Sequence, residues 1–123
     1  MTKPISVLLI DDNVTFLRIA ARFLRDQTDI NVVGTATDGE EGLIKAKKLK
    51  PQIILLDLAM PNLPGLDAIP LLREIQHEVK LIALTMLDTD AYRIAAKTAG
   101  ADAFVAKASM GSELLPTIRR ISN

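Results

Sequence analysis

The strongest constraint on the fold is a regular alternation of short apolar runs with segments of helical spacing. The runs are rich in β-branched residues or leucine and show little polar–apolar alternation, which is typical of strands buried on both faces. Such runs do not suit an open antiparallel sheet with one face in water. The five predicted strands are Ile5–Ile10, Ile30–Ala36, Gln52–Leu56, Lys80–Leu84 and Ala103–Ala106.

A segment with helical spacing follows each run. The first carries an apolar stripe from Leu17 to Leu24, and either Asp12 or Asn13 can cap its start. Asp38 followed by Glu41 resembles a capping box at the start of the second helix. The other three helices are predicted at Leu66–Ile75, at Asp90–Ala99 with Gly100 just beyond its end, and at Glu113–Ile121.

Two prolines fall inside the third and fifth helical segments. A start capped by Asp67 would place Pro70 in the first turn, where a missing N–H costs little. A start capped by Ser112 would place Pro116 near the same tolerated region. The alternative is a kink at each proline. We predict late helix starts.

The order strand–helix, repeated five times, predicts one α/β domain over residues 1–123. Connections of this length require right-handed crossovers, a parallel sheet and helices on both faces. The expected architecture is therefore a (βα)5 doubly wound, parallel five-stranded sheet. Such sheets bind ligands outside the carboxyl ends of their strands, so the residues that end each strand are the candidates for function.

Charge and composition exclude several function classes. Fifteen basic residues balance fifteen acidic ones, so direct nucleic-acid contact is not expected. The lysines from Lys45 to Lys50 resemble a solvated helix face. The chain has no cysteine, no apolar run long enough for a membrane span, and a strand by Ile5, too early for a signal peptide. We expect a cytoplasmic protein that contacts no membrane.

Polar residues stand at the ends of four predicted strands. Asp11 and Asp12 follow the first, Asp57 the third, Thr85 the fourth and Lys107 the fifth. Each alone has an ordinary explanation as a helix cap, a turn former, a strand residue or a solvated lysine.

Together these residues predict a site for phosphoryl transfer. Three crowded carboxylates require a cation, and hard oxygen ligands suit Mg²⁺. A hydroxyl and an ammonium opposite them would complete a cradle for a phosphoryl group, and a carboxylate can form an aspartyl-phosphate.

Four segments resemble the CheY-like receiver domains of two-component response regulators. They are VLLIDD (7–12), ILLDLAMPNLPG (54–65), LIALT (81–85) and GADAFVAK (100–107). The resemblance covers essentially the whole chain and implies the strand order 2-1-3-4-5, for which CheY is itself the reference example. The segments DINVVGTATDGEEGL and GADAFVAKAS resemble the NarL/LuxR branch, whose members usually carry a C-terminal helix-turn-helix domain.

The resemblance implies a phosphoacceptor and a metal site. Asp57 matches the residue that takes the phosphoryl group from a sensor histidine kinase or a phosphotransfer protein. Asp12 and Asp57 match the side chains that bind Mg²⁺, with Asp11 holding metal-bound water and the backbone carbonyl of Ala59 as a further ligand.

The resemblance also implies a conformational switch. Thr85 matches the hydroxyl that moves toward the phosphoryl group, and Lys107 matches the ammonium that pairs with the carboxylate and then with the phosphoryl group. Phe104 matches the aromatic switch residue, although an ordinary core aromatic is the alternative. The implied output is control of transcription through the surface around Phe104, with homodimer formation on phosphorylation.

Departures from the family pattern carry information. Ala108 stands where many relatives have proline, which leaves the isomer of the Lys107–Ala108 bond open. The chain contains no DNA-binding domain, so it is either a stand-alone receiver or part of a longer regulator. Ala59 and Leu87, each two residues past a site residue, cannot orient water for attack. We therefore expect slow autodephosphorylation.

Three other function classes compete with this interpretation. Phosphohydrolases with an aspartate nucleophile need a second aspartate where this chain has Ala59. A degenerate receiver, acting only as a binding module, would be expected to have lost part of the site. A flavin protein of similar fold would need aromatic side chains for stacking, and the chain has no Trp and a single Tyr, Tyr92. We predict a phosphoacceptor rather than an enzyme.

Overall fold

The computed structural model describes residues 3–122. Five strands alternate with five α-helices, and a single turn of 3₁₀-helix, Lys107–Ser109, precedes the last helix. The strands are β1 (Ile5–Ile10), β2 (Ile30–Ala36), β3 (Ile53–Leu56), β4 (Lys80–Thr85) and β5 (Ala103–Ala106). The helices are α1 (Val14–Arg25), α2 (Gly39–Leu49), α3 (Gly65–Ile75), α4 (Asp90–Ala99) and α5 (Met110–Ile121).

All five strands are parallel and lie in the order β2-β1-β3-β4-β5, which confirms the expected doubly wound sheet. The chain runs from β1 outward to β2 and then returns to the other side of β1. The strand order therefore reverses between β1 and β3. In this pair Ile10 lies opposite Leu56, so the residues that follow them emerge side by side.

Two apolar clusters cover the two faces of the sheet. One lies under α1 and α5 and includes Leu24, Ile53 and Ile118. The other lies under α2, α3 and α4 and includes Ile54 and Leu72. The central strands are buried on both sides, which explains why their sequences show little alternation.

Three predicted helix ends are confirmed. Asn13, not Asp12, caps α1 by accepting a hydrogen bond from Phe16 N at 3.0 Å. Asp38 caps α2 by accepting from Glu41 N, and Glu41 in turn accepts from the backbone just before the cap. Gly100 ends α4 with φ of 117°, a left-handed conformation that favours glycine.

The predicted late starts of α3 and α5 are wrong. Helix α3 begins at Gly65, so Pro70 lies in its second turn and cannot supply an N–H to the carbonyl of Leu66. Helix α5 continues directly from the 3₁₀ turn, and Pro116 likewise lies past the first turn. At α3 the early start is held by a contact outside the helix, because Gly65 N donates to the carbonyl of Leu58 at 3.0 Å.

All peptide bonds within residues 3–122 are trans, Lys107–Ala108 included. No helix in that range is both long and apolar enough to cross a membrane.

Candidate functional site

Three carboxylates converge at the carboxyl ends of β1 and β3. One oxygen each from Asp11, Asp12 and Asp57 lie within 4.8 Å of one another. Asp11 and Asp57 are buried, at 4% and 8% exposure, whereas Asp12 is exposed. The two buried acids belong to the wall of the site, and the third faces solvent, where an ion or a substrate can reach it.

The sheet itself positions the two buried acids. Asp11 N donates to the carbonyl of Ala36, and Asp57 N donates to the carbonyl of Ile10, each at 3.0 Å. These bonds extend the parallel ladders by one residue beyond each strand. The side chain of Asp11 is fixed further because its Oδ1 accepts from Asn13 N at 2.8 Å.

Lys107, which follows the edge strand β5, brings a positive charge to the acids. Its Nζ lies 2.7 Å from Asp11 Oδ2 and 3.4 Å from Asp57 Oδ2. It also lies 4.1 Å from the centroid of the Phe16 ring. The Lys107 side chain is only 10% exposed, so these contacts are weakly screened by water.

Burial raises the pKa of the Asp11 carboxyl above its ordinary value. Hydrogen bonds from Lys107 and from Asn13 N oppose this rise in pKa, while the charge of Asp57 adds to it. Three carboxyl groups thus lie close together, and two of them share the ammonium of Lys107. Clustered carboxylate oxygens with one solvent-facing member form a donor set that fits a hard divalent cation such as Mg²⁺.

Thr85 ends β4 and is fully buried, opposite Ala106 and therefore one residue from Lys107. Its Oγ1 accepts a hydrogen bond from Leu87 N at 3.2 Å. Thr85 thus lies at the carboxyl ends of the strands, as the acids do, and Leu87, which donates to it, lies in the loop that leads into α4.

Phe104 lies on β5 opposite Ala83 and is half-buried. The guanidinium carbon of Arg93 stands 4.5 Å from the ring centroid, and Arg93 Nε donates to Asp88 Oδ1 at 2.7 Å. The half-buried ring thus packs against the apolar cluster under α2, α3 and α4 and lies close to a cation.

The predicted metal ligand Ala59 lies in the loop after Asp57. Its N–H donates a long hydrogen bond, 3.5 Å, to Asp57 Oδ1. Ala59 and Leu87 line one groove that also contains Asp12. Both residues therefore border the groove beside Asp12.

Sequence reasoning assigned no role to Gly65 or to Phe16. A Cβ on Gly65 would lie 2.1 Å from the carbonyl oxygen of Asp57 and 2.7 Å from Leu58 Cα. Only glycine permits this approach of α3 to the loop. The signal for Gly65 was the Pro-Gly pair that closes the 54–65 motif; for Phe16 it was an aromatic in the first turn after Asp11-Asp12.

The sequence profile of the response regulator receiver domain matches residues 7–119. The chain belongs to the response regulator receiver domain family. It is 34% identical over 117 residues to the response regulator GacA of Pseudomonas protegens, covering 95% of this chain and 55% of that protein. It is 33% identical over 122 residues to the response regulator VraR of Staphylococcus saprophyticus, covering 98% and 57%. The chain spans about half the length of these curated relatives.

Solved receiver structures match closely. The response regulator domain of Thermotoga maritima CheB superposes with a TM-score of 0.92 at 32% identity, covering 98% of both chains. The receiver domain of the putative response regulator NarL from Mycobacterium tuberculosis gives 0.92 at 26% identity, also covering 98% of both. A chain of the Borrelia burgdorferi CheX–CheY–BeF₃–Mg complex gives 0.89 at 25% identity, covering 97% and 90%. The predicted family and its flavodoxin-like strand order are confirmed.

Proposed function

We propose that this receiver domain accepts a phosphoryl group on Asp57, with Mg²⁺ bound, from a sensor histidine kinase or a phosphotransfer protein. The observation that carries the proposal is the convergence of three carboxylates, Asp11, Asp12 and Asp57, two of which contact the ammonium of Lys107. A structural ion pair would need one carboxylate for one ammonium. A surplus of clustered acid suits a site that receives both a divalent cation and a phosphoryl group.

The chemistry follows from the reach of each side chain. A carboxylate oxygen of Asp57 attacks phosphorus in line, and the bond from phosphorus to the donor's imidazole nitrogen breaks. Asp12, Asp57 and the carbonyl of Ala59 would hold Mg²⁺, and Asp11 would hold its water. The bound ion would offset the charge of the phosphoryl oxygens.

Lys107 and Thr85 complete the proposed cradle. The Lys107 ammonium, already in contact with Asp57, would pair with a phosphoryl oxygen. Thr85 Oγ1 accepts from Leu87 N, so its hydroxyl hydrogen can donate to a phosphoryl oxygen. A shift of Thr85 would disturb the loop that carries Asp88, the partner of Arg93 over Phe104. Phe104 would then change rotamer and alter the surface of α4, β5 and α5.

The regulatory output is proposed by analogy. GacA and VraR are response regulators about twice the length of this chain, so we propose that residues 1–123 are a receiver domain whose effector lies elsewhere and controls transcription. Residues 1, 2 and 123 lie outside the described range. We further propose that the domain works in the cytoplasm and forms a homodimer on phosphorylation.

Mass spectrometry tests the phosphoacceptor. The protein incubated with Mg²⁺ and a small phosphodonor should gain the mass of one phosphate, and Asp57→Asn should gain none. Asp26→Asn, an exposed position just beyond α1, is the matched control and should be modified like the wild type. A folded wild-type protein that gains no mass would overturn the proposal in favour of a phosphorylation-independent binding module.

We also propose that the phosphoryl group is released slowly. Ala59 and Leu87 present hydrocarbon to the groove beside Asp12 and cannot orient an attacking water. Phosphate loss from the isolated domain should take far longer than seconds, and Ala59→Asn, which restores a hydrogen-bonding side chain, should shorten it. A wild-type half-life of seconds would contradict this proposal.

A further inference from the structure

The ammonium of Lys107 lies close to an aromatic ring as well as to two acids. Two sides of Nζ face Asp11 and Asp57, at 2.7 and 3.4 Å. The ring is that of Phe16, whose centroid lies 4.1 Å away. This distance is well inside the range of a cation–π contact, which strengthens as the cation loses water. Lys107 is 10% exposed, so the contact is largely dry.

The ring is held in place by the same turn that holds Asp11. Asp11 Oδ1 accepts from Asn13 N at 2.8 Å, and Asn13 Oδ1 accepts from Phe16 N at 3.0 Å. These two hydrogen bonds fix the backbone of Phe16 relative to the Asp11 carboxylate, which pairs with Lys107. The ring also packs against the apolar cluster under α1 and α5. The Phe16 ring is therefore held in place beside the flexible side chain of Lys107.

A fixed neighbour can position a lysine because the four-carbon side chain is flexible and its compact charge favours no single direction of contact. The two ion pairs alone do not fix the direction from which Nζ approaches the carboxylates. A ring face attracts the ammonium over its whole area rather than along one hydrogen-bond direction. It can thus keep Nζ close to both carboxylates while its hydrogen bonds change.

We propose that Phe16 is a positioning residue for the phosphoacceptor site, because its ring holds the Lys107 ammonium between Asp11 and Asp57. The inference rests on the proposed function for its kinetic consequence. In this scheme Phe16 acts on the transferring phosphoryl group through Lys107. Loss of the ring lets the ammonium turn toward solvent, which removes positive charge from the transferring oxygens.

Fluorination of the ring tests the electrostatic part of this proposal. Phenylalanines of rising fluorine content at position 16 keep the shape of the ring while weakening its negative face. The rate of phosphate uptake from a small phosphodonor with Mg²⁺ should fall stepwise, by about two- to fivefold at the highest fluorination. The matched control is the same series at Phe23, which packs against the same apolar cluster. A flat series at Phe16, or an equal fall at both positions, would overturn the proposal.

A second measurement does not depend on phosphorylation. Phe16→Leu, Lys107→Met and the double variant form a cycle in urea unfolding without Mg²⁺ or donor. The two substitutions should couple, and Phe16→Tyr should behave like the wild type because it keeps the ring. Additive effects of the two substitutions on the free energy of unfolding would show that Phe16 does not position Lys107. If the wild type takes up no phosphate, the proposed function fails, and the unfolding cycle still decides whether Phe16 positions Lys107.

Discussion

The amino and carboxyl ends of the sheet each carry a cluster of charged side chains, and the two clusters balance their charges differently. At the amino end, Arg73 at the end of α3 donates to the carbonyl of Gly100 at 2.8 Å and to Asp102 Oδ2 at 2.9 Å. It also donates to the carbonyl of Val79. Asp102 in turn accepts from Leu81 N at 2.8 Å. One guanidinium and one carboxylate share a closed set of partners that joins α3, β4 and the end of α4.

At the carboxyl end the balance is different. Asp11, Asp12 and Asp57 stand against the one ammonium of Lys107, counted over residues 3–122. Polar groups that satisfy one another stabilise a fold, whereas an excess of like charge costs stability unless a ligand neutralises it. The contrast distinguishes a charge cluster with matched partners from the one for which we propose a function.

The largest expected effect concerns the backbone beneath the functional end. Gly65→Ala places a Cβ against the carbonyl of Asp57 and the backbone of Leu58, neither of which can move like a flexible side chain. We expect a loss of about 3 kcal/mol in the free energy of unfolding. Phosphate uptake should also fall sharply because the loop that carries Asp57 must shift. Urea unfolding and mass spectrometry measure the two effects.

Gly111→Ala is the matched control for that substitution. A Cβ at Gly111, in the first turn of α5, meets nothing within 4 Å. Alanine should therefore raise the free energy of unfolding by about 0.5–1 kcal/mol through its helix propensity. Equal destabilisation by the two substitutions would mean that the close approach at Gly65 is not what holds the loop.

The second prediction breaks the closed charge cluster at the amino end. Arg73→Met keeps the helix and the length of the side chain but leaves Asp102 without its ion pair and the carbonyls without a donor. About a third of each charged side chain is exposed, so we expect a loss of about 2 kcal/mol rather than the full value for a buried pair.

Phosphate uptake by folded Arg73→Met protein should match the wild type, because the cluster lies at the opposite end of the strands. Arg120→Met, at an exposed position of α5, serves as the control and should leave the free energy of unfolding almost unchanged. A strong loss of phosphate uptake in folded Arg73→Met would show that the two ends are not independent.

These contrasts also explain what the sequence could predict. The strands, their parallel direction and the convergence of Asp11 and Asp57 follow from apolar periodicity and from a rule about strand ends. The strand order came only from the resemblance to receiver domains. The start of α3 follows from neither, because it depends on Gly65 N donating to the carbonyl of Leu58 at 3.0 Å. The role of Phe16 depends on a contact with Lys107 from the far end of the chain. Local patterns carry no information about such distances.

The third prediction relieves the charge excess at the carboxyl end. Asp12→Asn keeps the size of the side chain and removes one of three carboxylates within 4.8 Å. The apoprotein should gain about 1 kcal/mol in the free energy of unfolding. Mg²⁺ at a hundredfold excess over its Kd should stabilise the wild type by about 2.7 kcal/mol, and Asp12→Asn much less.

Thermal unfolding with and without Mg²⁺ measures both effects of Asp12→Asn. Glu74→Gln, an exposed acid on α3, is the control and should keep the wild-type response to Mg²⁺. An unchanged Mg²⁺ response in Asp12→Asn would show that this residue does not belong to the proposed metal site. The excess of acid at the carboxyl end would then have no proposed ligand to explain it.

The smallest effect is expected from an exposed, fully matched pair that belongs to neither cluster. Asp29, just before β2, accepts from Arg119 Nε at 2.8 Å and from its Nη2 at 3.1 Å. These hydrogen bonds lower the pKa of Asp29 below its ordinary value. The pair therefore stabilises the fold above the unfolded-state pKa, about 3.9, and this contribution is lost as pH falls through the lower pKa of the folded state.

Wild type and Asp29→Asn should differ in the free energy of unfolding at neutral pH and converge in acid. Added salt should narrow this difference because the pair is exposed. A difference in the free energy of unfolding that widens in acid would contradict the lowered pKa of Asp29 and the stabilising role of this matched pair.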